Sequence, residues 1–135
     1  MPLMTWTQDL SVGVKTLDDD HKKLVGMLNR LNEGMQANRG RATLGKIFDE
    51  LVDYTKTHFT REEGFLDESG YADADAHKKQ HADLTMRVMD LQARYNKGEL
   101  TLTREVLNFL RDWLTYHIKG HDQKYGSHLN AKGIY

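Results

Sequence analysis

Five histidines and one glutamate stand where the apolar stripes of helices should carry hydrocarbon. In the segment THFTREEGFL (residues 57–66) Glu62 follows His58 by four residues, and His81 follows His77 by four. His21 and His117 each fall three and four residues from apolar neighbours. A spacing of four puts two side chains on one face of a helix, so each pair offers two donors in one direction. The chain has no cysteine, which excludes disulfides, thiolate zinc sites and thiol catalysis. Histidine and carboxylate are then the only strong metal ligands available.

Each donor alone has an ordinary explanation, as a hydrogen-bonded core histidine or a surface ion pair. Their weight comes from the helices that carry them. The only proline is Pro2, and glycines near 40, 70 and 98 sit in the polar clusters NRGR, ESGYAD and NKGEL. Three turns imply four helical segments within one domain, residues 1–135. The first, about 17–38, opens on Thr16 with Asp19 three residues later, a capping-box-like start, and carries Leu17, Leu24, Val25, Leu28, Leu31 and Met35. The second, about 41–67, has a stripe through Leu44, Ile47, Phe48, Leu51, Phe65 and Leu66. The third, about 74–96, follows the acidic Asp73 and Asp75 and carries Leu84, Val88, Leu91 and Tyr95. The fourth, about 102–125, begins after Thr101 or Thr103 and carries Val106, Leu110, Trp113 and Leu114. Short polar loops between rods of similar length predict an all-α, up-down-up-down antiparallel four-helix bundle. Residues 1–16 and 126–135 should lie against it as arms, with Trp6 as the N-terminal anchor.

That topology brings the donors together. His21 is early in the first helix, His58 and Glu62 late in the second, His77 and His81 early in the third, and His117 late in the fourth. All six meet at one end of the bundle, in one layer. Burying so many polar groups without partners would cost several kcal/mol, so they hydrogen-bond one another or surround a cation. By ligand type iron or manganese fits, whereas zinc would take only four donors. A second carboxylate would balance the charge, and Asp122 is the candidate. At five residues from His117 it lies ~140° round an ideal helix, while His121, at four, is better placed. Asp122 could reach the layer only if the backbone widened locally, as in a π-bulge, and Gly120 would tolerate that. Spacing alone leaves the choice between His121 and Asp122 open.

Composition bounds the rest. With 19 basic and 20 acidic residues and a pI near 6.6 there is no electrostatic case for nucleic acid or an anionic membrane. No apolar run suits a signal peptide or an integral membrane segment, so the expected location is the cytoplasm.

The ordered set His21, His58-x-x-x-Glu62, His77-x-x-x-His81, His117-x-x-x-x-Asp122 resembles the hemerythrin family, most closely its single-domain bacteriohemerythrins, over essentially the whole chain. The resemblance implies two non-haem iron ions joined by an oxo or hydroxo bridge. It implies that His77, His81 and His117 bind one iron, His21 and His58 the other, and that Glu62 and Asp122 bridge both. It thereby favours Asp122 and leaves His121 and His128, which have no counterpart in the motif, at the surface or behind the ligands, with Glu63 solvated or paired on the surface. Five imidazoles, two bridging carboxylates and one bridging oxygen leave two six-coordinate irons one bond short. The vacancy falls on the two-histidine iron, where O2 fits.

The function this implies is reversible O2 binding for carriage, storage or delivery, by a monomer that is not an enzyme and that supplies an O2-consuming partner. Alternatives are an oxygen-sensing or interaction module, which would require an attached signalling domain, and a di-iron redox enzyme. Oxygen-activating bundles use more carboxylates and a Glu-x-x-His spacing of three, which tilts against the enzyme. Leu24, Val25, Phe59, Trp113, Leu114 and Ile118 are the candidate O2-pocket wall, with Leu114, one turn before His117, expected near the open position or an O2 entry path.

Overall fold

A computed structural model describes residues 2–99 and 104–135, with the side chain of His121 also outside the description. The chain is an all-α four-helix bundle. Helix α1 (Lys15–Gln36) packs on α2 (Arg41–Ser69), α2 packs on α3 (Ala74–Asn96), and α4 (Arg104–His117) returns beside α1. The expected start of the last helix at Thr101 or Thr103 lies outside the described residues. The fourth rod continues through a π-helical turn (Ile118–Asp122) into α5 (Gln123–Ala131), so the C-terminal arm is itself largely helical.

The stripes read from the sequence form the core. Leu17, Leu24, Val25, Leu28, Leu31, Leu44, Phe48, Leu51, Leu66, Leu84, Val88, Tyr95, Leu110 and Leu114 are buried, and Met35, Ile47, Phe65, Leu91, Val106 and Trp113 pack at its margin. Transfer of this much hydrocarbon out of water is the principal drive for folding. Leu107, Val52, Tyr125 and Leu129 join the core, as does the N-terminal arm.

Two local expectations change. Thr16 does not cap α1, which begins at Lys15 behind an uncapped Val14. Asp18, in the first turn, reaches back instead: its carboxylate accepts from the Val12 N–H at 2.8 Å and from the Ser11 hydroxyl at 2.5 Å. Trp6 is not the arm's anchor either. It is only half-buried, under the Lys22 ammonium at 5.5 Å, while Leu10, Val12 and Val14 are buried. Three aliphatic side chains in the bundle hold the arm better than one ring at its edge. At the other end of the site, α2 stops at Gly70, whose φ of 69° is the left-handed conformation that a residue without Cβ adopts freely.

Candidate metal centre

All seven candidate ligands are buried, each at most 5% exposed, and they occupy one layer. Their donor atoms form two overlapping groups. One comprises Glu62, His77, His81, His117 and Asp122, the other His21, His58, Glu62 and Asp122; within each group the donor atoms lie within 4.8 Å of one another. The two carboxylates belong to both groups and straddle them. Glu62 turns Oε1 to His77 Nε2 (2.5 Å) and His81 Nε2 (3.0 Å), and Oε2 to His58 Nε2 (2.9 Å). Asp122 turns Oδ1 to His77 and His117 Nε2 (both 3.0 Å) and Oδ2 to His21 Nε2 (3.1 Å).

Asp122 reaches this layer through the π-helical turn over Ile118–Asp122, which inserts the extra residue that an α-helix would not accommodate. Gly120 lies inside the turn, which does not demand glycine there. Its φ is not positive, and a Cβ there would meet the Tyr116 ring at 3.5 Å, an ordinary contact.

The donor set fits metal ions better than it fits itself. Nε2 of His21 and of His58 are 3.1 Å apart, and those of His81 and His117 are 3.0 Å apart. When neutral, His58 and His81 give their Nδ1 proton to a carboxylate outside the layer, so each turns a bare Nε2 lone pair inward. Both oxygens of Asp122 are buried, and among the described residues neither accepts a hydrogen bond, close as the imidazoles are. Imidazole nitrogens and carboxylate oxygens this close together are satisfied by protons in the metal-free chain and by shared cations in their place.

Sequence reasoning missed the groups behind the donors. Asp20, buried, accepts from His58 Nδ1 at 2.9 Å and from the Tyr54 hydroxyl at 2.6 Å, and is paired with Arg61. Glu63, expected to be solvated or paired on the surface, instead stands behind the ligands, 3.1 Å from His81 Nδ1 and 27% exposed. The Tyr125 hydroxyl donates to Glu62 Oε2 at 3.1 Å. The available signals were weak: Asp20 precedes His21, Glu63 follows Glu62, and Tyr125 lies three after Asp122. His128 bonds the Ser69 carbonyl at the end of α2, at 2.9 Å. The side chain of His121 lies outside the described residues.

An apolar cavity of about 30 Å³ adjoins the donor layer one helical turn deeper, lined by Leu24, Leu28, Leu51, Thr55, Leu84, Val88, Leu110, Trp113 and Leu114. Of the six expected wall residues, Leu24, Trp113 and Leu114 line it. Val25, Phe59 and Ile118 are buried but do not. Phe59 instead stacks on the His81 ring, centroids 3.7 Å apart, because the layer of imidazoles offers it a flat partner. Trp113 stacks likewise on His117 at 5.0 Å.

Burial opposes charge on His21, His77 and His117, but the Asp122 and Glu62 carboxylates outweigh it and hold all three up at about 9, against 6.5 for an ordinary imidazole. Burial likewise opposes charge on Glu62 and Asp122, yet the imidazoles hold both below the usual carboxylate range. The sign for the metal-free chain follows. Raised imidazoles contribute stability that is complete below about 6.5 and lost as pH climbs through 9; the lowered carboxylates contribute stability that is lost in acid. Metal-free protein should therefore melt highest between about pH 5 and 6.5 and lose stability by pH 9. Bound cations replace those protons, so the alkaline decline should vanish on metal loading. Melting temperature against pH, with and without metal, checks this; a flat metal-free profile contradicts it.

Comparison with known proteins agrees with this geometry. The family model described as "Hemerythrin HHE cation binding domain" matches residues 12–129. The chain is 39% identical over 132 residues to a bacteriohemerythrin of Methylococcus capsulatus (strain ATCC 33009 / NCIMB 11132 / Bath), covering 97% of this chain and 100% of that one. It is 37% identical over 131 residues to a bacteriohemerythrin of Stenotrophomonas maltophilia (strain R551-3), covering 97% and 84%. A crystal structure of wild-type hemerythrin superposes with a TM-score of 0.89 at 39% identity, covering 94% of this chain and 98% of that one.

Proposed function

This chain belongs to the hemerythrin family, and we propose that it binds O2 reversibly at a non-haem di-iron centre, for carriage, storage or delivery. His77, His81 and His117 would hold one iron, His21 and His58 the other, and Glu62 and Asp122 both. One observation carries the assignment: each carboxylate turns one oxygen to each histidine group, across opposed Nε2 atoms about 3 Å apart. When bound, the iron pair supplies the electrons that O2 takes up on binding and returns on release. The protein's part is to hold, shield and leave one vacancy. Tyr125 fixes the Glu62 carboxylate through Oε2, and the four-donor group, one imidazole poorer, is the side with room for a small ligand.

The cavity favours binding over turnover. None of its described lining side chains is an acid or a base, and the Thr55 hydroxyl donates to the Leu51 carbonyl at 2.8 Å, so nothing in that lining moves a proton to a ligand there. Its volume of about 30 Å³ has room for a small ligand, and its walls are largely apolar. We therefore read the chain as a carrier rather than an enzyme. Iron-reconstituted protein, titrated with O2 under nitrogen and then purged, should return fully to its colourless spectrum. Continued O2 consumption at the expense of a reductant would make it an enzyme.

Leu114 lines the cavity three residues before His117. Leu114→Ala should open that wall to water and make the oxygenated colour fade several-fold faster, as absorbance over time would record; an unchanged rate removes Leu114 from the ligand's surroundings. We further read the chain as a cytoplasmic monomer that hands O2 to an O2-consuming enzyme. No helix among the described residues is long and apolar enough to cross a membrane, and the formal net charge of -1 offers no field for nucleic acid. A dimer in sedimentation at working concentration would end the monomer reading.

A further inference from the structure

The two donor groups differ in what stands behind them as well as in the number of their imidazoles. In the four-donor group His58 is backed by Asp20, a carboxylate only 3% exposed and held from three directions, by His58 Nδ1, the Tyr54 hydroxyl and Arg61. Its companion His21 has nothing: Nδ1 is buried with no hydrogen-bond partner among the described residues. In the five-donor group the carboxylate behind His81 is Glu63, 27% exposed, with solvent to share its charge. Of these two carboxylates, the more buried one serves the group that is one imidazole short.

We propose that Asp20 is a positioning residue that makes His58 the dominant nitrogen donor of the four-donor group, and so sets how tightly the second metal ion is held. The inference rests on the di-iron reading above. Three physical steps lead to it. A carboxylate that accepts the Nδ1 proton fixes the tautomer with Nε2 bare and aimed inward. The fixed negative charge pushes electron density toward Nε2, strengthening its bond to a cation. Burial of that charge, with Tyr54 and Arg61 on its other oxygen, leaves it no alternative partner and keeps the ring from turning. His21, without such a partner, cannot compensate.

The test is anaerobic calorimetric titration of the metal-free full chain with cobalt(II), and separately iron(II). The unmodified chain should bind two equivalents. Asp20→Asn, which removes the charge but keeps an acceptor, should weaken the second equivalent about tenfold, and Asp20→Ala about a hundredfold, with the first unchanged. Glu63→Gln should leave the second equivalent alone. In the cobalt(II)-loaded protein the exchangeable Nδ1 proton resonance of His58 should shift in Asp20→Asn while those of the other ligands stay, a change that mere loosening of the fold would not confine to one ring. Tyr54→Phe, which frees one side of Asp20 without altering charge, should weaken the second equivalent in the same direction and serves if the Asp20 variants do not fold. Two equivalents in every variant with unchanged affinity, or equal weakening of both, overturns the role of Asp20 alone. Fewer than two in the unmodified chain overturns the di-iron reading, and the inference with it.

Discussion

Glu62→Ala should leave a folded bundle that retains less than one iron per chain and takes up no O2. Glu62 belongs to both donor groups, and its two oxygens lie 2.5 to 3.0 Å from His77, His81 and His58. Truncation takes one donor from each group at once and removes half of the carboxylate charge that would offset the cations. Outer carboxylates behind metal-bound histidines are worth about 10- to 100-fold in affinity, so a donor shared by both groups should cost more than a hundredfold. The backbone should survive, since the position is mid-helix and alanine favours a helix. Elemental analysis and far-UV dichroism read the two halves. Two irons per chain in the variant would show that the carboxylate is not a ligand. Glu63→Ala is the graded comparison, because that side chain meets His81 at Nδ1, on the far side from the donor layer, and should cost far less.

Gly126→Ala should destabilise the protein more than the same change at any other glycine. A Cβ at Gly126 would sit 2.1 Å from the carbonyl oxygen of Val12, and a backbone atom cannot swing aside as a side chain would. Nor can the arm easily withdraw. Gln123 donates to the carbonyls of Asp9 and Ser11, at 2.6 and 3.2 Å, Asn130 donates to that of Gly13 at 3.0 Å, and Asp18 holds the Val12 N–H. The methyl must push the arm off α5 against these bonds and against the burial of Val12 and Val14. Overpacking of this kind costs about 3 kcal/mol or somewhat more, a fall in Tm of about 10 °C in a domain of this size. Tyr125 is the neighbouring residue, so the site should feel the change through its hydroxyl on Glu62. Gly26→Ala is the contrast: exposed, mid-helix and with nothing within 4 Å, it should gain up to about 1 kcal/mol. Equal melting of the two variants would show that the arm is free to move.

Much of the fold was legible because it is local. Leu24, Leu28 and Leu31 repeat at helical spacing whatever they pack against, and Pro2 is the only proline. The donor layer was legible for the same reason. A spacing of four places His58 with Glu62 and His77 with His81, and alternating helix direction brings both pairs to one end. Asp122 was harder, since a spacing of five contradicts the α-helical period and only the backbone could supply the missing rotation. Gly120, which tolerates the widening, has an ordinary φ there, and a Cβ would meet only an ordinary contact.

Amino-acid order alone therefore determined the four rods, their inward faces and the depth at which nitrogen and oxygen donors gather, because helical periodicity and chain reversal are short-range properties. Tertiary structure decided which carboxylate stands behind which imidazole, which leucines border a void and which packed solid, and that the C-terminal arm is a helix clamped on the N-terminal one. Those outcomes depend on contacts between residues as far apart as Asp20 and His58, 38 positions, or Gly13 and Asn130, 117 positions. No local period encodes such separations, and close packing selects among them only once the whole chain has folded.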